Sequence, residues 1–253
     1  MEQDFSGKVA LVTGGASGIG RAACLQFAAR GAAVLVADLD GAGAAALTGE
    51  IVAAGGRAEA WEVDVADDTA VAAMVQAALE RLGGLDCAFN NAGVAPGFSA
   101  FPDVTPDDWS RVIAVNLTGV FQCLRHELPA MAARGGGAIV NTSSGAGVVP
   151  APGQPHYTAS KHGVLGLTKV AAQEYAPQGV RVNAILPGTT DTPMLRGYLD
   201  ENPGVEKIIL RTMPMGRLAT AEEVAAAAVW LCSEQASFVS GESMLVDGAQ
   251  VCR

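Results

Sequence analysis

Residues 9–20 read VALVTGGASGIG, an apolar run that leads into glycines at positions 14, 18 and 20. The run predicts a buried strand, and the periodic segment 18–30 after it predicts a helix. Glycines at such a junction permit a tight turn and let backbone N–H groups approach phosphate oxygens at the helix N-terminus. The pattern alone is weak in a chain with 31 glycines. Its position between a first strand and a first helix favours a dinucleotide site.

The rest of the chain repeats this alternation of short apolar runs and helical patterns. Strands are predicted at 8–14, 32–39, 58–65, 85–92, 137–144, 180–188 and 243–248. Helices are predicted at 18–30, 41–54, 67–82, 107–134, 155–176 and 220–232. Unbroken apolar strands indicate a sheet buried on both faces, and the alternation indicates parallel βαβ units. We therefore predict a single α/β domain, doubly wound around a parallel seven-stranded sheet of the Rossmann type.

One long segment, 189–219, interrupts the alternation and contains Pro193, Pro203 and Pro214. Because it follows the carboxyl end of a strand, where ligands bind in open α/β sheets, it is predicted to be a substrate lid.

Composition excludes several classes of protein. The 253 residues are 50% hydrophobic, which excludes a disordered chain, and carry a net charge of −10, which argues against nucleic-acid binding. The cysteines at 24, 87, 123, 232 and 252 form no CxxC pair, so reduced thiols are expected. The three histidines lack metal-ligand spacing, and no metal is predicted. The polar N-terminus MEQDFSGK and the short apolar runs indicate a soluble, cytoplasmic protein without a membrane partner.

Asp38 ends the second predicted strand, 18 residues after Gly20. A carboxylate there accepts hydrogen bonds from the ribose hydroxyls of NAD and repels the 2′-phosphate of NADP. The alternative is a loop or helix-cap residue, as the sequence DLDGAG (38–43) allows.

Tyr157 and Lys161 are four residues apart and therefore share one helix face. An ammonium group beside a phenol lowers the phenol pKa from about 10, toward the range useful for proton transfer. Ser144 ends a predicted strand and is suited to hold a substrate oxygen, with Ser143 as the alternative on the opposite side. Asn116 lies within a predicted helix, where it serves either to satisfy buried polar groups or to relay protons through water.

Several motifs occur in order along the chain: TGGASGIG (13–20), Asp64-Val65, NNAG (90–93), Asn116, Ser144, YTASK (157–161) and PGTTDTPM (187–194). With them, the whole chain resembles the short-chain dehydrogenase/reductase family. The resemblance favours Ser144 over Ser143, and it implies that Asn116 relays protons and that Lys161 also binds the ribose. The cofactor-binding residues it implies, beyond Asp38, are Gly14, Ser17, Gly18, Ile19, Gly20, Leu39, Asp64, Val65, Asn91, Ala92, Gly93, Tyr157, Lys161, Pro187, Gly188, Thr190 and Thr192. Asp64 and NNAG have a purely structural alternative, as turn and strand-end residues.

The resulting hypothesis is an NAD-dependent oxidoreductase that interconverts a secondary alcohol and a ketone, with Tyr157 as general acid and base. A cofactor-binding regulator without turnover and a non-redox epimerase or dehydratase are the alternatives.

Resemblance also implies a homotetramer or homodimer. The expected pocket is apolar, although Arg196 and Arg211 leave an anionic substrate open. His156 either faces this pocket or lies at the surface, and the surface position is favoured. The expected walls are residues 95–98, 146–149, 155–156, 194, 195 and 198.

Overall fold

The computed structural model describes residues 4–251, so Cys252 and the first three residues of the N-terminal segment lie outside the described part. Parallel strands make up its main sheet, and two further short strands pair with each other. The strands are Val9–Thr13 (β1), Ala33–Asp38 (β2), Arg57–Glu62 (β3), Cys87–Asn90 (β4), Gly137–Thr142 (β5), Val180–Pro187 (β6), Thr190–Asp191 (β7), Ala219–Thr220 (β8) and Ser243–Val246 (β9).

The main sheet has seven strands in the order β3-β2-β1-β4-β5-β6-β9, and each neighbouring pair is parallel. This confirms the predicted doubly wound sheet. The strand order reverses between β1 and β4, so a crevice opens at their carboxyl ends. In open α/β sheets, ligands bind in that crevice.

Helices cover both faces of the sheet. They are Gly18–Ala29 (α1), Gly41–Ala53 (α2), Asp68–Ala77 (α3), Pro106–Ile113 (α4), Gly119–Ala132 (α5), Pro155–Tyr175 (α6), Pro193–Glu201 (α7), Val205–Thr212 (α8) and Ala221–Cys232 (α9). The predicted helix 107–134 is interrupted by a π-helical turn, Ala114–Thr118, and the predicted helix 67–82 ends in another, Ala78–Leu82. Apolar periodicity does not distinguish such turns from the α-helix around them.

Burial on both faces explains the unbroken apolar strands. In β1, Leu11 packs into one core cluster, with α3, α5 and α6, whereas Val12 packs into the other, with α1, α2 and α9. The apolar residues of the predicted helix 107–134 are only partly buried. Val112, Val120 and Leu124 are buried, but Trp109 and Phe121 are 43% and 49% exposed.

The 189–219 segment contains β7, α7, α8 and the start of β8. In the described chain, no helix combines the length and apolarity needed to cross a bilayer. The four described cysteines, at positions 24, 87, 123 and 232, are free and buried.

Candidate active site

The glycine loop between β1 and α1 is packed closely against the end of β4. Gly14 and Gly18 have φ values of +64° and +52°, which favour glycine. A Cβ at Gly20 would collide with the carbonyl oxygen of Gly14 and lie 2.8 Å from Nδ2 of Asn91. Each of these glycines therefore occupies a position where a side chain would be strained or would clash, as the sequence pattern predicts.

Asn91 and Thr13 connect the ends of β1 and β4. Nδ2 of Asn91 donates to the carbonyl oxygens of Thr13 and Gly14, both at 3.2 Å. Oγ1 of Thr13 accepts from the backbone N–H groups of Asn91 and Ala92 at 3.0 and 3.1 Å. These contacts give Asn91 the structural role considered for NNAG, and they place this motif directly beside the glycine loop.

Asp38 lies beside the same loop, at the end of β2. Its carboxylate accepts from the backbone N–H of Ala16 at 2.9 Å and from that of Asp40 at 3.0 Å. The helix cap belongs to Asp40, whose side chain accepts from Gly43 N. Asp38 therefore anchors the loop and does not cap α2. Next to it, Leu39 is 68% exposed.

Of the other predicted cofactor residues, Asp64 and Val65 follow β3, and Thr192 follows β7. Asp64 Oδ1 accepts from Ala66 N at 2.9 Å, which is the turn role considered for it, and Val65 packs against Gly119. Thr192 caps α7 by accepting from Leu195 N, and its Cγ2 would lie 3.2 Å from a Cβ at Gly18. Thr192 thus joins the 189–219 segment to the glycine loop.

Tyr157 and Lys161 lie together on α6. Nζ of Lys161 is 5.5 Å from the centroid of the Tyr157 ring and donates to the Thr142 carbonyl oxygen at 2.9 Å. Burial raises the pKa of Tyr157 above 10, although a hydrogen bond with Ser144 opposes this. Burial also lowers the pKa of Lys161 to about 8. The predicted lowering of the phenol pKa is thus outweighed by desolvation in this structure.

The two serines after β5 point in different directions, as strand alternation requires. Ser143 is buried and donates to the Lys161 carbonyl oxygen at 2.8 Å. Ser144 accepts from Ala146 N at 3.1 Å, and its hydroxyl lowers the pKa of Tyr157, so the two side chains are neighbours. The geometry therefore brings Ser144, and not Ser143, to the tyrosine hydroxyl.

Asn116 lies in the π-helical turn between α4 and α5. Its amide makes two bonds with the Val94 backbone: Oδ1 accepts from N at 2.8 Å, and Nδ2 donates to O at 2.9 Å. A Cβ at Gly93 would lie 3.2 Å from Asn116 Oδ1 and 3.8 Å from Lys161 Nζ. Asn116 and Lys161 therefore flank one glycine. Short π-helical turns often mark functional sites, yet no sequence pattern predicted this one.

Two side chains differ from expectation. His156 is 2% exposed, so the predicted surface position is wrong; it is buried at the start of α6, where α6 packs against α4, and burial lowers its pKa. Arg196 is already paired, with Asp191 at 2.6 and 2.7 Å and with Glu206 at 3.0 Å.

Known proteins of similar sequence and fold are dehydrogenases and reductases. A family profile described as "Enoyl-(Acyl carrier protein) reductase" matches residues 14–249. The chain is 44% identical over 246 residues to a 2,5-dichloro-2,5-cyclohexadiene-1,4-diol dehydrogenase of Sphingobium indicum, covering 97% of each protein. It is 42% identical over 249 residues to a cyclohexanol dehydrogenase of an Acinetobacter species, covering 98% of this chain and 97% of that protein. The crystal structure of levodione reductase superposes with a TM-score of 0.93 at 36% identity, covering 97% of this chain and 98% of that one.

The Rossmann-type sheet together with these relatives identifies an oxidoreductase of the alcohol dehydrogenase or reductase type. The chain belongs to the short-chain dehydrogenase/reductase family.

Proposed function

We propose that the protein interconverts a neutral cyclic secondary alcohol and its ketone, using NAD(H) and Tyr157 as general acid and base. The observation that carries this proposal is the proximity of Ser144, Tyr157 and Lys161, with Lys161 next to Gly93 of the NNAG motif. Neither a regulator without turnover nor a simple scaffold requires a half-buried tyrosine beside a serine and a buried lysine.

The residues of the loop fit a nicotinamide dinucleotide. Glycines 14, 18 and 20 leave no Cβ in the turn, and the N-terminus of α1 favours negative charge. Asp38 holds the loop through one N–H and lies where a ribose carboxylate partner is expected, which supports NAD over NADP. Lys161 is the candidate to donate to the second ribose. When bound, the nicotinamide ring takes or supplies the hydride.

Proton transfer to and from the substrate oxygen is carried out by residues of the chain itself. Ser144 donates to or accepts from the substrate oxygen and holds it against the phenol. The Tyr157 oxygen takes the proton from the alcohol during oxidation and returns it to the carbonyl oxygen during reduction. The buried Lys161 ammonium stabilises the phenolate that forms. Asn116, next to Lys161, holds the water that relays a proton back to Tyr157.

The pocket walls support a neutral ring as substrate. The rings of Phe98 and Tyr198 are in contact, with centroids 5.9 Å apart and planes tilted by 46°, so the 94–105 loop contacts α7. Arg196, one of two arginines considered as anion partners, is neutralised by Asp191 and Glu206. The named substrates of two relatives, a cyclohexadienediol and cyclohexanol, are rings of this kind.

The test is a substrate panel followed by absorbance of the reduced cofactor. Cyclohexanol, a cyclohexanediol, cyclohexanone and a hydroxycyclohexanecarboxylate are each assayed with NAD(H) and NADP(H). We expect NAD-dependent turnover of the neutral rings, with the carboxylate poorer. Cofactor binding without turnover would favour the regulator, and substrate conversion without net cofactor change would favour the non-redox enzyme.

A further inference from the structure

Glu127 is a glutamate of α5 that lies entirely inside the protein. It is 0% exposed, and its Oε2 accepts a hydrogen bond of 2.9 Å from Nδ2 of Asn90, the last residue of β4. Its Oε1 has no hydrogen-bond partner among residues 4–251. An ionised carboxylate with one neutral donor is costly in this position, because no opposite charge replaces its lost hydration.

Asn90 extends this contact into a buried network across four elements. Its Nδ2 also donates to Oδ1 of Asn141 in β5, at 3.0 Å. Nδ2 of Asn141 donates to Oγ1 of Thr168 in α6, again at 3.0 Å, and Thr168 donates to Val164 O within that helix. Glu127, Asn141 and Thr168 are each 0% exposed. The network therefore joins α5, β4, β5 and α6 in the middle of the core.

The network lies one residue away from two contacts of the active site. After Asn90 comes Asn91, whose amide holds the carbonyls of Thr13 and Gly14 in the glycine loop. After Asn141 comes Thr142, whose carbonyl oxygen accepts from Lys161. A shift of Asn90 or Asn141 is thus transmitted directly to the cofactor loop and to the catalytic lysine.

A proton on Glu127 supplies a donor to a cluster that has two unpaired acceptors. Oδ1 of Asn90, like Oε1 of Glu127, is an acceptor without a donor among the described residues. Protonation turns one of these acceptors into a donor and removes the buried charge. Burial raises the pKa of Glu127 from 4.5 to about 7, with the Asn90 hydrogen bond opposing it.

Within residues 4–251, the surroundings of Glu127 contribute no compensating cation. The thiol of Cys123, one turn earlier on α5, is the titratable group that faces it, and its pKa is raised partly by Glu127. β4, β5 and α6 present the amides of Asn90 and Asn141 and the hydroxyl of Thr168, which do not titrate. The ion pair of Arg125 with Asp68 from α3 lies at the surface.

We propose that Glu127 is a positioning residue, protonated in the folded enzyme, which holds β4, β5 and α6 in register beneath the glycine loop and Lys161. It acts through Asn90 and Asn141 and touches no reacting atom. The expected effect of Glu127 on turnover rests on the proposed function. The protonation of Glu127 and its effect on stability do not depend on that function.

The first test compares thermal unfolding of the wild type and Glu127→Gln between pH 5 and 8.5. Because the pKa of Glu127 is higher in the folded than in the unfolded protein, its contribution to stability is fully present below about pH 4.5. That contribution is lost as the pH rises through about 7. The amide cannot ionise, so the variant should match the wild type at pH 5 and become relatively more stable up to about pH 7.5. The relative change in the folding constant is on the order of 10²-fold. Glu174→Gln, at an exposed glutamate of α6, should show no such trend.

The second test separates positioning from bulk packing through kinetics at pH 6.5. Glu127→Gln should retain kcat and the KM for NAD within about twofold, because an amide keeps one donor and one acceptor. Glu127→Leu fills the space without hydrogen bonding and should raise the KM for NAD and lower kcat, together at least tenfold in kcat/KM. Equal kcat/KM for the two variants would overturn the positioning role.

Infrared spectroscopy provides a direct measurement if Glu127→Leu does not fold. At pH 6 the wild type should show the carbonyl-stretch band of a buried protonated carboxyl group, and Glu127→Gln should lack it. A wild-type spectrum without that band, or a stability difference constant across the whole pH range, would overturn the proposal. Neither readout depends on turnover, so a failure here is distinct from a failure of the proposed activity.

Discussion

Burial acts in opposite directions on the two ionisable groups that α6 brings together. It raises the pKa of Tyr157 above 10 and lowers that of Lys161 to about 8, so it favours the neutral form of each. The spacing of the two residues is visible in the sequence, and so is the attraction between an ammonium and a phenolate. The depth at which the chain buries them is a tertiary property that no local pattern reports.

Tyr157→Phe tests the proton step at this scale. The variant keeps the ring but loses the oxygen that Ser144 contacts. We expect kcat to fall about 10²–10⁴-fold, the usual contribution of a general acid or base, while NADH affinity changes only a few-fold. Stopped-flow turnover and fluorescence titration with NADH measure the two quantities. More than about a tenth of the wild-type kcat would remove Tyr157 from this role.

Lys161→Met tests the charge beside the tyrosine. Since the wild-type pKa is about 8, the ammonium is present below that pH and is lost above it. NAD affinity should therefore weaken in the wild type as pH rises through about 8, and it should be weak at every pH in the variant. The ionisation that limits alcohol oxidation should also move to higher pH. Identical pH profiles for both proteins would contradict a role for Lys161 in either function.

Asp38 is the residue on which the proposed preference for NAD over NADP depends. Two unit charges about 4 Å apart cost roughly 4 kcal/mol at an effective dielectric near 20. Even a third of that cost, about 1.4 kcal/mol, would make binding of NADP, with its 2′-phosphate, tenfold weaker than binding of NAD. Arg21 offers no compensation, because it pairs with Glu50 at 2.5 Å.

We expect Asp38→Ser to lose both NAD affinity and discrimination, and Asp38→Ser with Leu39→Arg to favour NADP, since a guanidinium binds phosphate in a bidentate manner. The exposed Leu39 makes the second change accessible. Measurements of kcat/KM with both cofactors check this, and equal use of both by the wild type would mean that Asp38 does not select the cofactor.

At the scale of helices and strands, the sequence predicts the features that depend on a local residue pattern. It misses the features that depend on packing between elements far apart in the chain. Every strand of the main sheet lies within a few residues of its predicted range, because apolar runs flanked by glycine are a local signal. The π-helical turn at Asn116, the burial of His156 and the exposure of Phe121 are set by packing between helices. The network around Glu127 was not predicted either, since its members are far apart in sequence.

The junction of β1 and α1 provides a test at this scale. An alanine at position 20 would place Cβ against the Gly14 carbonyl and 2.8 Å from Asn91 Nδ2. We expect Gly20→Ala to displace the loop and weaken NAD binding at least tenfold. Gly49→Ala is the matched control: it lies in α2 with nothing within 4 Å of the new Cβ. It should leave binding unchanged and raise stability by about 0.5–1 kcal/mol. Unaltered NAD affinity in Gly20→Ala would contradict the tight fit of this loop.

At the scale of the whole molecule, α5 and α6 pack beside each other and leave large apolar side chains in solvent. Phe121 of α5 is 49% exposed and Val170 of α6 is 55% exposed, on helices whose opposite faces fill the core. This is the surface on which the homotetramer or homodimer implied by resemblance is expected to form.

We therefore predict that sedimentation velocity finds the wild type as a dimer or tetramer, and that Phe121→Asp with Val170→Asp reduces it to smaller species. A buried charge facing its own copy across a twofold axis is destabilising in both subunits at once. Val52→Asp is the control, because Val52 is 53% exposed on α2, a helix that packs on the opposite side of the sheet. It should leave the assembly intact. A monomeric wild type, or equal dissociation by the control, would show that the α5–α6 surface is not the interface.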